Sequence, residues 1–160
     1  MLRTAFLLLF ALLLGGCASA PFSTAGLDPT LTPSRAVKES RFVQGREVVW
    51  GGVIVSSTNL ADATRFEILA YPLDRSQRPE TDQAPYGRFL LYKPGYAETV
   101  DYAPGREVTV RGRLDGIQQG RVGEAPYTYP LVRSNTLHLW PAGGRSESRV
   151  HFGVGVIFGR

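Results

Sequence analysis

The sequence predicts an all-β fold: a small OB-like antiparallel barrel of five or six strands, closed or partly open, behind a cleaved signal peptide and a flexible tether. Three observations predict it. Segments rich in β-branched and aromatic residues recur along the chain, spaced by Gly, Pro, Asn and Asp turn chemistry. The mature region carries no long window with a 3.6-residue apolar period and caps, so helices are minor. The 160 residues leave room for one domain, and coiling so few strands into a barrel buries one face and removes the edges that a flat sheet would expose. A sandwich usually requires more strands.

Residues 1–16 form the first element. Arg3 supplies a positive start, Ala5 to Leu14 an apolar run, and Gly15-Gly16 small residues before a cut, which is the pattern of a signal peptide. The apolar run would reach about 15 Å as a helix, roughly half the hydrocarbon thickness of a bilayer, so it does not span by itself. Leu14-Gly15-Gly16-Cys17 is similar to a bacterial lipobox, in which the cysteine sulfur takes a diacylglycerol and the new amino terminus is then acylated. Cys17 is the only cysteine, so no intrachain disulfide or multi-thiolate zinc site is available to it. The plainer reading is a secretory signal with an incidental cysteine. Several acyl chains, at about 0.8 kcal/mol per buried CH₂, hold a protein durably at a membrane. The lipobox resemblance implies the outer membrane, since in enteric-type bacteria an aspartate after the cysteine is the usual signal for inner-membrane retention and Ala18 stands there instead.

Residues 17–33 read as the lipidated cysteine and a tether of small and polar residues broken by prolines. As a flexible coil it would have an r.m.s. reach of about 20–25 Å, placing the head just off the lipid. Residues 34–141 read as the barrel domain. A short helix is expected over Pro33 to Ser40, with Thr32 as N-cap and Pro33 at the first position, stopped by Gly45. Strands follow at Val48–Val55, Arg65–Tyr71, Arg88–Tyr92 and Glu107–Leu114, with final pairing from Tyr127–Val132 and Leu137–Trp140. Gly51-Gly52 suggests a bulge or sharp coil where strands close on one another. Phe66, Ile68 and Ala70 alternate against Arg65 and Glu67, while Val108, Val110 and Leu114 point inward against Glu107, Thr109, Arg111 and Arg113. Pro72 marks an edge or exit, and Pro94-Gly95 closes the third strand.

Residues 142–160 read as a tail. Val150, Phe152, Val154, Val156 and Phe158 share one face of an amphipathic strand about as long as those of membrane barrels. One strand cannot cross hydrocarbon alone. Three readings stay open: a further strand of the domain's sheet, an edge that pairs with another chain into an oligomer, or a segment lying at the lipid interface.

The formal net charge of +4 comes from arginines scattered among acids, so the basic balance is no nucleic-acid footprint. Arg111 and Arg113 read as a solvated strand face. A nucleophile needs a base, and the only histidines are His138, expected on the outer face of a strand, and His151 in the tail. No Gly-x-Ser-x-Gly elbow, His-Glu-x-x-His or phosphate loop occurs. Glu80 and Asp82 stand in a turn-rich stretch and read as a solvated loop, short of a cation site's oxygen ligands. No catalytic residue, cofactor or metal is assigned. Tyr127 and Tyr129 are two apart and so face one side of a strand, beside Trp140 or Trp50. These four aromatics are either packing residues or contacts for a peptide, glycan or protein partner.

The pieces Trp50-Gly51-Gly52-Val53-Ile54, Pro94-Gly95-Tyr96, Val108 to Gly112, Gly123-Glu124-Ala125-Pro126-Tyr127-Thr128-Tyr129-Pro130 and Leu139-Trp140 resemble the starvation-inducible outer-membrane lipoprotein (Slp) family over about residues 27 to 141. The resemblance implies a small Gram-negative envelope lipoprotein linked with stationary phase and stress, with no established catalytic residues or cofactor. It does not extend to the tail. The expectation is a non-catalytic protein anchored in the outer membrane through Cys17 and facing the periplasm, with an envelope protein or glycan as partner and no nucleic acid. The alternatives are a ligand- or glycan-binding module and, further off, a periplasmic hydrolase with a deep polar pocket.

Overall fold

The computed structural model describes residues 20–143, so the signal peptide, Cys17 and the 144–160 tail lie outside the described residues. Helices α1 (Pro33–Lys38) and α2 (Ser40–Val43) precede five strands: β1 (Glu47–Asn59), β2 (Ala63–Tyr71), β3 (Gly87–Pro94), β4 (Glu107–Val122) and β5 (Ala125–Leu139). The strands close into a ring in the order β1-β2-β3-β5-β4. That order is the five-stranded OB arrangement.

Closure depends on β1 having two partners. It pairs with β4 from Glu47 to Val53 and with β2 from Gly51 to Asn59, so Gly51, Gly52 and Val53 are paired on both edges. A strand bent that sharply brings its neighbours' backbones onto its own. A Cβ on Gly52 would stand 2.0 Å from the Leu69 carbonyl oxygen, and one on Gly51 would stand 2.8 Å from the Val108 carbonyl oxygen. The paired glycines are therefore the corner of the barrel, as their spacing suggests. The register shift of β1 falls just beyond them, between Ile54 and Ser56.

Two expectations are corrected. The ring is antiparallel except where β3 meets β5, which run parallel through Leu90–Leu131, Leu91–Val132 and Tyr92–Arg133. The last two segments are one strand, because the polar run Arg133-Ser134-Asn135-Thr136 forms no turn. It forms a bulge opposite Arg111 and Arg113. The Ser134 hydroxyl stitches it by donating to the Arg111 carbonyl and accepting from the Thr136 N–H.

Side chains fill the interior. Ile54, Phe66, Ile68, Phe89, Leu91, Val108, Val110 and Val132 are all within 1% of complete burial. Burial of each large one is worth about 1.5–3 kcal/mol. The alternation expected for β2 and for Val108, Val110 and Leu114 is observed. One end of the barrel is stopped by Ala36 and Val43 of the helices, the other by Ala97 and Tyr102 of the β3–β4 connection, with Tyr102 against Phe66 at 5.3 Å. Thr32 caps α1 by accepting from the Arg35 N–H, and Gly45, at φ 80, ends the helical stretch.

The segment expected as a tether is part of the fold from Phe22 onward. Phe22 exchanges two hydrogen bonds with the Gln77 amide, at 3.1 and 2.7 Å. The Leu31 side chain is buried, and its carbonyl accepts from the Trp50 indole at 2.7 Å. Asp28 faces Arg35 and Arg46 at 3.6 and 3.5 Å, and its carboxyl is held below the usual range by hydrogen bonds from Thr30 and, less, by those arginines. Composition suggested coil because these contacts are made by backbone groups and single apolar residues without a period.

Gln77 occupies an unexpected position. The Asp74–Arg78 turn is a tight reversal, with Gln77 N–H donating to the Asp74 carbonyl and Asp74 N–H to the Arg78 carbonyl, both at 2.9 Å. Its left-handed position, φ 67, normally takes glycine. A glutamine there carries backbone strain, and its side chain is the one that clamps Phe22.

Two outcomes follow from this packing. Gly52→Ala destabilises the barrel by about 3 kcal/mol or more, since a backbone carbonyl cannot move aside, and thermal melting checks it. Gln77→Gly relieves the turn but frees Phe22; limited proteolysis between Phe22 and Thr30 quickens while the barrel's melting temperature moves little.

Candidate functional site

The four aromatics singled out in the sequence do not form one surface. Trp50 points into the barrel, 7% exposed, with its ring edge-on to Phe89 at 5.3 Å. Trp140 lies on the outside of the same sheet region, where its indole N–H donates to the Thr109 hydroxyl at 2.9 Å. The Arg78 guanidinium stacks on that indole at 5.6 Å while pairing with Glu107 at 2.6 Å, and His138 meets the ring edge-on at 4.4 Å. Thr109 is outward as expected but fully buried, because the loop carrying Gln77 and Arg78 lies over it and takes its hydroxyl proton on the Gln77 carbonyl. His138 is half-buried against Trp140 and so does not stand free on the strand face.

Tyr127 and Tyr129 do share a side, with rings 4.6 Å apart. Both are tied down. The Tyr127 hydroxyl accepts from the Arg88 N–H at 2.8 Å. The Tyr129 hydroxyl stands 3.0 Å from the Arg121 carbonyl and 3.2 Å from Glu67, which also pairs with Arg88 at 2.6 Å. Tyr129 is 4% exposed, and burial first, then the Glu67 charge, pushes its hydroxyl pKa above the usual tyrosine value. The pair therefore covers the outer side of β2 and β3, together with Leu90, which is buried outside the main core. In OB barrels that side is where ligands lie. Here the chain's own β5 occupies it.

Several charged groups are likewise closed on one another. Glu47 sits 2.8 Å from Arg111 and 3.8 Å from Arg113, and the Arg111 hydrogen bond, then its charge, lowers the Glu47 carboxyl pKa. Arg133 pairs with Asp115 and stacks on Tyr92 at 5.8 Å. Glu80 lies in the 72–86 connection with its N–H donating to the Pro72 carbonyl, and Asp82 is exposed in the same connection. Among the described residues no three potential metal ligands converge, and no helix is long and apolar enough to cross a membrane. Cys17 and His151 lie outside the described residues.

A recess of about 860 Å³ opens between the Ala20–Thr32 segment and the β1–β2 side, lined among others by Phe22, Leu27, Val49, Tyr71 and Leu73. Sequence reasoning missed it because it treated that segment as a tether. The only signal was a reversal, Asp74-Arg75-Ser76-Gln77, without the glycine it calls for.

Stability at high pH reports on this packing. Between the ordinary tyrosine pKa, about 10, and its raised folded value, the folded protein holds the Tyr129 proton more firmly than the unfolded chain. Stability contributed by that proton is complete below pH 10 and is lost as pH rises through the folded value. Tyr129→Phe flattens the decline, as urea unfolding at about pH 9 and about pH 11 will show, and costs about 1 kcal/mol at neutral pH from the lost hydrogen bond.

The model of the outer membrane lipoprotein Slp family matches residues 14–156, so the likeness runs beyond the 27–141 expected from the motifs and into most of the tail. The chain is 32% identical over 133 residues to the "Uncharacterized lipoprotein YeaY" of Escherichia coli K12, covering 82% of this chain and 68% of that protein. It is 27% identical over 143 residues to the outer membrane protein Slp of the same organism, covering 88% and 76%. Among solved structures it is similar to a small single-stranded DNA-binding protein from Streptomyces coelicolor, with TM-score 0.39 and 17% identity over 63% of this chain and 99% of that one.

Proposed function

The chain belongs to the outer membrane lipoprotein Slp family, and from that premise we propose that it is a non-catalytic structural or interaction protein of the envelope, held by fatty acids on Cys17 and serving in stationary phase or stress. It is an envelope lipoprotein of the outer membrane. The observation that carries the non-catalytic reading is the filled barrel. Its interior is taken by Phe66, Phe89, Ile54, Ile68 and Leu91, and its ends are stopped by the chain's own helices and loop. Catalysis requires convergent titratable groups around space for a substrate. Here the polar groups of Arg78, Glu107, Thr109 and Trp140 answer one another. The stress role rests on the family resemblance.

A second reading, a ligand- or glycan-binding module, is favoured by the recess beside Tyr71 and Phe22, whose walls mix aromatic, aliphatic and polar groups. It predicts that Tyr71→Ala abolishes binding of envelope glycan fragments without lowering the melting temperature. Calorimetry that detects no binding removes this reading.

The anchor is tested by metabolic labelling with a fatty-acid probe. Wild type takes up the probe and stays with the membrane pellet, whereas Cys17→Ala takes up none and leaves it. The stress role is tested by survival of a deletion strain in stationary phase, complemented by wild type and by Cys17→Ala; survival equal to the parent's counts against it.

A further inference from the structure

The bilayer holds one side of this barrel, and the geometry points to which. We infer that the face formed by Phe22 and the Asp74–Gln77 turn lies against the lipid surface, while the Leu60, Tyr96 and Val100 loops are held away from it. The inference rests on lipidation of Cys17.

The argument begins with the length of free chain. Phe22 is fixed to the barrel by two hydrogen bonds to the Gln77 side chain. Gln77 is 8% exposed and is itself held by its own turn and by Thr109. Only Ala18, Ser19, Ala20 and Pro21 stand between Cys17 and Phe22, which at full extension allows about 18 Å. A domain of this size has a radius of gyration of about 14 Å, equivalent to a sphere of about 18 Å radius. A leash no longer than the radius lets only the attached half of the surface reach lipid. The opposite half stays off the membrane in every orientation.

Strand β2 gives the direction. It runs from Ala63 to Tyr71, about 26 Å at the usual rise per residue, and leads into the turn that clamps Phe22. At its other end Asp62 accepts from the Gly95 N–H at 2.9 Å, and the Thr64 hydroxyl donates to the Gly95 carbonyl at 3.1 Å. The β1–β2 turn and the β3–β4 connection therefore share the far end. Three large apolar side chains project there, Leu60, Tyr96 and Val100 at 43, 69 and 78% exposure. On a freely swinging head such residues would enter lipid as readily as the still more exposed Phe42 of α2. The near side presents the exposed guanidinium of Arg75 at the tip of its turn, a group suited to headgroup phosphates, with the exposed Tyr86 lining the same recess.

The test uses the full lipidated protein, purified from membranes and reconstituted into phosphatidylethanolamine–phosphatidylglycerol vesicles that carry a nitroxide headgroup quencher. Arg75→Cys and Tyr96→Cys each take a bimane label; the native thiol is blocked once Cys17 is a thioether. Quenching several-fold stronger at position 75 than at 96 is the expected result. An insert of about fifteen Gly/Ser residues between Ser19 and Ala20 adds about 20 Å of r.m.s. reach and brings the two values together. Equal quenching with the native leash overturns the inference, as does a difference that survives the insert. The mass of the amino-terminal peptide separates the two layers. A chain without fatty acids overturns the anchor itself, whereas a fatty chain with equal quenching overturns the orientation alone.

Discussion

Closure of the ring depends on one strand having no side chains where it turns. β1 is hydrogen-bonded to β4 and to β2 over the same three residues, and two of them are glycine. With the Leu69 carbonyl where a Cβ of Gly52 would be, no other residue type fits without prising the sheet apart. Closure in turn decides what is inside. Five strands enclose a space just large enough for Phe66, Phe89, Ile68 and their neighbours, so the barrel is a core and not a cavity. Any surface for a partner must then lie outside it.

The outside is largely covered by the chain itself. β5 runs beside β3, and Tyr127 and Tyr129 shield the outer face of β2 and β3. The 72–86 connection lies over Thr109, which is why a threonine in a clean outward position is fully buried. The amino-terminal segment closes on the barrel's core, where the carbonyl of the buried Leu31 accepts from the inward-facing Trp50 indole. Each cover is fixed by a few polar contacts with geometry near 3 Å, and each removes a face on which a barrel of this topology could act.

The strands were legible because a two-residue period survives any loop arrangement. β2 and the first half of β4 read directly from their alternation, and the corner read from Gly51-Gly52. What was illegible depends on contacts distant in sequence. Ser134 and Thr136 look like turn residues until the Arg111 carbonyl is seen to need a partner. The parallel meeting of β3 and β5 is a consequence of closing the ring, not of any local pattern. The aromatic set illustrates the same limit. Tyr127 and Tyr129 share one side, as a two-residue spacing on a strand requires, yet Trp50 and Trp140 stand on opposite faces of one sheet, which spacing alone does not reveal.

The start of the domain shows how a polar segment becomes structural without looking so. Sixteen residues of small and polar composition would swing freely if only composition mattered. One glutamine changes this by accepting a backbone strain that glycine would avoid and using its amide to hold Phe22 at both its N–H and its carbonyl. The strain is tolerable because the same turn is braced by Asp74, whose carboxylate accepts from the N–H groups of Ser76 and Arg78. A clamp at Phe22, and not at Pro33, shortens the free chain to a length comparable with the radius of the head. A flexible tether only limits how far a head can wander; a leash this short also determines which way it faces. With the anchor proposed at Cys17, the chemistry of one turn, far from that cysteine in sequence, would thereby govern which face the head turns to the membrane.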